Sequence, residues 1–118
     1  MFVSAALDLT GDLSIKQGAT YRLRTRFRQE SGVPLDLTGA IPRAQLRESP
    51  SATLAATFTA TVSDAANGEV LLELSPTQTT ALTSGKYVWD LFIDMPSGDT
   101  FSPLGGKAQV DSAITRNA

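Results

Sequence analysis

Residues 20–28 alternate strictly: Tyr21, Leu23, Thr25 and Phe27 fall on one parity, Arg22, Arg24, Arg26 and Arg28 on the other. A period of two belongs to a β-strand, because successive Cβ atoms point to opposite faces. The four arginines therefore line one side, ~6.8 Å apart, since a strand advances ~3.4 Å per residue. Weaker versions of the pattern recur along the chain. Leu13 and Ile15 predict a short edge strand, and residues 40–48 predict a strand with Ala44 and Leu46 inward, with Pro42 placing its start at an edge or a bulge. Residues 54–62, reading LAATFTATV, put Leu54, Ala56, Phe58, Ala60 and Val62 against Thr57, Thr59 and Thr61, which predicts one continuous strand.

Turn chemistry punctuates these runs. Pro34, Asp36, Thr38 and Gly39 bend the chain between the arginine strand and the next. Residues 63–68 predict a hairpin connection with Asn67 and Gly68 as its left-handed residues, and the chain runs back over 69–74. Ser75-Pro76-Thr77-Gln78 is a capping-box pattern with proline at the first helical position, predicting a short helix over 76–82. Residues 86–94 then turn Tyr87, Trp89, Leu91 and Ile93 inward, while residues 100–110 form a last strand interrupted at Pro103 and at Gly105-Gly106, by a bulge or a crossing between sheets. About seven strands, one short helix and regularly spaced turns are the pattern of an all-β antiparallel sandwich. At 118 residues the chain is the size of one domain, residues 1–118, with 1–12 and 111–118 expected as loosely held ends. The tetrapeptide DLTG occurs at residues 8–11 and 36–39, too short a match for a duplicated unit, and is expected as reused turn chemistry.

Composition narrows the chemistry. Histidine and cysteine are both absent, which excludes thiolate nucleophiles, disulfides, and metal sites or general bases built on imidazole. A net charge of −2 provides no global basic field for nucleic acid or an anionic membrane. Neither a secretory leader nor a run of ~20 apolar residues is visible, so synthesis in a cytoplasm is expected. The acids near turns, Asp64 with Asn67 and Glu69, and Asp94 with Asp99, lack the dense oxygen pattern of a calcium loop and are expected to shape turns. Trp89 and Tyr87 share the parity of the core, although an exposed pair would make a platform for stacking sugars. No catalytic, cofactor-binding or metal-binding residue is predicted, and the chain is not expected to be an enzyme. The remaining candidate is the row Arg22, Arg24, Arg26 and Arg28. It is either a partner-binding strip for an acidic protein, a phosphate backbone or an anionic glycan, or a solvated face offset by a neighbouring strand, for which Asp90 and Asp94 are the expected acids.

Residues 34–39 (PLDLTG), 43–47 (RAQLR), 64–69 (DAANGE) and 85–91 (GKYVWDL), in that order, resemble a family of small immunoglobulin-like modules of tailed bacteriophages that includes the N-terminal domain of phage baseplate upper proteins. Residues 106–110 resemble the same family's closing strand. The resemblance spans residues 17–110. It implies an immunoglobulin-like sandwich acting as a non-enzymatic structural component of a virion, in the tail, baseplate, fibre or neck. Its partners would be other virion proteins in symmetric copies, without nucleic acid, membrane or cofactor. Binding of host-surface carbohydrate is the alternative that this resemblance leaves open.

Overall fold

The strand that carries the arginines is central to one of two packed sheets. The computed structural model describes the backbone of Val3–Ala5 and residues 12–29 and 31–115. Nine strands occur among them: β1 (Val3–Ala5), β2 (Leu13–Lys16), β3 (Tyr21–Gln29), β4 (Ile41–Arg47), β5 (Leu54–Thr57), β6 (Thr59–Asp64), β7 (Glu69–Leu74), β8 (Gly85–Asp94) and β9 (Thr100–Asp111). One sheet has the order β1-β3-β7-β6 and the other β2-β9-β8-β4-β5. All neighbours run antiparallel except β2, which lies parallel to β9. This is the immunoglobulin-like sandwich, with a first segment that contributes β1 to one sheet and β2 to the other.

Between the sheets lie Phe27 and Thr25 from β3, Val70, Leu72 and Leu74 from β7, Leu46 from β4, Trp89, Leu91 and Ile93 from β8, and Val110 from β9, all buried. Burying each large apolar side chain stabilises the fold by roughly 1.5–3 kcal/mol. No disulfide joins the sheets. An aromatic chain does so instead: Phe58 packs against Trp89 with ring centroids 5.9 Å apart and against Tyr21 at 6.4 Å, edge to face. Tyr87 is buried with its hydroxyl donating to the Thr83 carbonyl at 2.7 Å, the tyrosine corner of sandwiches of this class.

The local signals form as their chemistry requires. Helix α1 (Pro76–Ala81) begins at Ser75, whose hydroxyl accepts the Gln78 amide while the Gln78 side chain accepts the Ser75 amide. In the 34–39 stretch, the Thr38 amide and hydroxyl both donate to Asp36 Oδ1, at 2.9 and 2.6 Å, and hold its carboxyl below the ordinary range. That turn carries Leu35 and Leu37 into the core. Both prolines inside strands sit where a flanking strand has ended. Pro42 precedes the 45–47 segment that β5 covers, and Pro103 precedes the 108–111 segment that β2 covers. The Ala44 carbonyl accepts from Phe58 on the side of β4 away from β8, so by alternation the missing N–H of Pro42 also lies on that open side.

Two sequence expectations are corrected, and for the last strand the bulge, not the crossing, is found. The run 54–62 is two strands: Phe58 inserts between the sheets while the backbone passes from β5 at the edge of one sheet to β6 at the edge of the other. The hairpin before β7 uses only Gly68 as a left-handed residue, because Asn67 belongs to a 3-10 turn over Ala65–Asn67 and its side chain donates to Asp64 at 2.8 Å. The last strand does not cross between sheets; it is continuous, with its bulge between the Leu91–Leu104 and Ile93–Phe101 pairs. The first DLTG and most of the expected loose ends fall outside the described residues. Within them, Val3–Ala5 pairs with β3 and Asp111 with Lys16.

Gly68 has φ +69°, and a Cβ there would come within 2.5 Å of the Phe27 carbonyl oxygen and 2.7 Å of that of Leu35. Both are backbone atoms of the core layer and have little room to yield. Gly68→Ala is therefore expected to lower unfolding free energy by at least ~2 kcal/mol, combining positive-φ strain with a backbone clash. Gly98→Ala, at φ +98° with nothing within 4 Å, carries the strain alone and costs about 1 kcal/mol. Urea denaturation of the two variants checks the difference.

Candidate functional site

The register between β3 and β7 decides what the arginines meet. Arg22 stands opposite Glu73, Arg24 opposite Leu71 and Arg26 opposite Glu69. Thr25 and Phe27 face the core, so the even positions of β3 must face out, and all four arginines are exposed. Arg22 Nε donates to Glu73 at 2.7 Å; Arg24 Nη1 and Arg26 Nε both donate to Glu69, at 3.3 and 3.0 Å. Arg28 Nη1 donates to the Gly32 carbonyl at 3.2 Å, across the tip that follows the strand. The structure thus brings the four predicted residues together on one face and supplies an acidic neighbour, but from β7.

Asp90 and Asp94, the acids expected beside the row, lie on β8 in the other sheet. Asp94 instead accepts from Arg43 Nε at 2.9 Å and from the Thr100 hydroxyl at 2.9 Å, and these contacts hold its carboxyl below the ordinary range. The signal for the true partners was present: Glu69 and Glu73 are four apart on a strand, hence on one face, and share their parity with Leu71.

Glu69 is the hub of the face. Its side chain is only 10 % exposed, whereas those of Arg24 and Arg26 are 63 % and 52 % exposed. The Ser63 hydroxyl donates to it at 2.9 Å, and with Arg26 and Arg24 this lowers its carboxyl below the usual 4.5. Two arginines and a hydroxyl fix one carboxylate, and the rest of each guanidinium stays in water. With the guanidinium groups in water the attraction is screened, so these pairs add little to stability.

A second polar face, missed by the sequence pattern, lies outside β4 and β8. A shallow groove of about 390 Å³ there has Arg43, Gln45, Arg47, Asp90 and Phe92 among its lining residues, with the edge of Trp89 at its floor beside Ala44. The Arg43 guanidinium rests 5.0 Å above the Phe92 ring, and the Arg47 side chain reaches back to Ala52 and Gln45. Its cations are engaged by neighbours within the sheet and the adjoining loop. Trp89 and Tyr87 contribute no exposed platform; they are 4 % and 5 % exposed and belong to the core. Among the described residues no three acids converge as a metal site would require.

No protein-family model matches the sequence, and no curated protein matches it. Solved structures do resemble the fold. CopC from Methylosinus trichosporium OB3b aligns over 98 % of this chain and 100 % of that chain with a TM-score of 0.58 and 13 % identity. The Lin-41 filamin domain aligns over 92 % of this chain and 91 % of that one, with a TM-score of 0.52 and 16 % identity. Identities this low show the fold alone, an immunoglobulin-like β-sandwich.

Because the carboxyl of Glu69 is lowered in the folded state, its contribution is fully present above the ordinary value of 4.5 and is lost as the pH falls toward the lowered one. Glu69→Gln is expected to reduce stability at neutral pH and to flatten the decline below pH 4.5. Urea midpoints across an acid pH series, parent against variant, check both signs.

Proposed function

We propose that the chain is a non-enzymatic assembly module, a structural component of a tailed-phage virion assembled in the host cytoplasm. It joins neighbouring proteins of the tail, baseplate, fibre or neck, and the arginine face receives an acidic surface of one of them. The observation that carries this reading is an imbalance of charge. Among the described residues, three of the four guanidinium groups on β3 meet two carboxylates on β7, and the fourth, of Arg28, meets a backbone carbonyl. Arg22 and Arg26 hold their glutamates through Nε, and among the described residues neither Nη group of either is taken up by a carboxylate. A planar guanidinium already fixed at one edge is pre-oriented for a bidentate carboxylate, so less side-chain entropy is lost on binding.

The fold supports a positioning role for that strip. β3 is held on one side by β7 along residues 21–26 and on the other by β1 at residues 27–29. The resemblance of residues 34–39 and 85–91 to the phage modules supplies the virion context. A protein surface carrying glutamates at strand spacing matches the geometry better than a nucleic acid, because no aromatic side chain interleaves with the arginines for base stacking.

Mass spectrometry of purified particles of the encoding phage is expected to find the protein at a fixed ratio to tail or neck components, and its absence would refute the virion assignment. In parallel, Arg22→Gln, Arg24→Gln and Arg28→Gln combined, which spare the Arg26–Glu69 contact, should leave thermal unfolding nearly unchanged. The same variant should weaken binding to the purified neighbouring protein about tenfold or more, with a shallower salt dependence. Undiminished binding would remove the arginine face from the interface.

A further inference from the structure

The four sheet edges are unequally protected. β1 is three residues long, β2 is four and ends in Lys16, and β5 is four with a register irregularity where it meets Leu46 and Arg47. β6 has six residues, TATVSD, with no lysine, arginine or proline, and its one charge, Asp64, lies beyond the register shift after Val62. Short length, charge, proline and bulges are the devices that keep sheet edges from pairing with other chains. Over residues 59–62, the stretch before that shift, this edge carries no charge, no proline and no bulge.

The direction of its backbone groups follows from contacts already described. The Phe27 amide donates to the Gly68 carbonyl, so the odd residues of β3 turn toward β7, and by alternation Val70, Leu72 and Leu74 turn back toward β3. Glu69, Leu71 and Glu73 then turn toward β6, where Glu73 meets Thr59, Leu71 meets Thr61 and, beyond the register shift, Glu69 meets Asp64. The amides and carbonyls of Ala60 and Val62 are left pointing outward. Phe58 agrees with this phase, since its amide points away from β7 and finds the Ala44 carbonyl. Among the described residues no strand pairs with the outer side of β6.

We infer that β6 is a homotypic interface, at which a second copy of this chain adds antiparallel about a two-fold axis at Thr61. In that register Ala60 and Val62 of one copy exchange amide and carbonyl bonds with Val62 and Ala60 of the other, so the outward groups satisfy each other. Thr61 meets Thr61 and Thr59 meets Ser63 on the outer face, pairs suited to a pleated surface. The half-buried Ala60 and Val62 meet on the inner face and extend the core across the junction. The edge is self-complementary in charge as well. The two Asp64 side chains fall at opposite ends, ~20 Å apart, so no like charges meet. The same operation on the exposed face of β3 would set arginine beside arginine. The dimer carries both arginine faces on one continuous eight-stranded sheet, and it stands whether or not those faces bind an acidic partner.

Sedimentation of the purified full chain over a concentration series tests the inference, with amide exchange followed on the same samples. A monomer–dimer equilibrium is expected, with exchange at Ala60 and Val62 slowing as the dimer fills. Thr61→Lys, which places two ammonium groups at the axis, should raise the dimer dissociation constant at least about tenfold. Ala60→Pro, which removes an outward amide, should act likewise, and Thr57→Lys on β5 should leave the dimer intact; unchanged thermal unfolding of Thr61→Lys separates lost pairing from lost fold. A parent chain that stays monomeric up to its solubility limit, or a dimer that survives both β6 substitutions or yields to the β5 one, overturns the inference.

Discussion

The register of β3 against β7 is the constraint on which the rest depends. It aligns Thr25 with Val70 between the sheets, and the same alignment puts Arg22 against Glu73 and Arg26 against Glu69 outside. A slip by one residue would turn guanidinium groups into the core and expose Phe27, costing several kcal/mol in lost apolar burial and in desolvated charge. Gly68 closes the register from its end, lying so close to the Phe27 and Leu35 carbonyls that no side chain fits. Core packing and surface charge are therefore one decision made twice, and the arginine face is a by-product of the alternation that buries Phe27.

What the sequence revealed divides along local and non-local physics. The capping box at Ser75–Gln78 was legible because both of its hydrogen bonds close within four residues. The inward parity of Tyr87, Trp89, Leu91 and Ile93 was legible because period two needs no knowledge of the neighbour. The crossing at Phe58 was not. Both sheets face the same core, so the inward side of β5 continues as the inward side of β6, and the alternation passes through the change of sheet without a break. Periodicity reports which face is buried, not which sheet the backbone belongs to.

The candidate site shows the same division. That four arginines would share one face followed from spacing alone, whereas the identity of their acids depended on which strand the topology sets beside β3. Asp90 and Asp94 were reasonable by parity but belong to the opposite sheet, where Arg43 and Thr100 take up Asp94. Glu69 became the hub for a reason invisible in a list of charges. It sits directly after the glycine that ends the hairpin, within reach of the Ser63 hydroxyl on the facing strand.

The passage at Phe58 also explains why the sandwich is guarded so unevenly. One segment, residues 54–64, closes both sheets on that flank, and its inward positions must be apolar in β5 and β6 alike. Its outward positions are Ala55, Thr57, Thr59, Thr61 and Ser63, small neutral residues that sit on a pleated surface but neither repel nor block another strand. On the opposite flank β1 closes one sheet and β2, which ends in Lys16, the other, and the charge is concentrated on β3. The fold thus separates two unlike surfaces by construction: a charged face where the register aligns arginine with glutamate, and a neutral edge where a single segment has to serve both sheets.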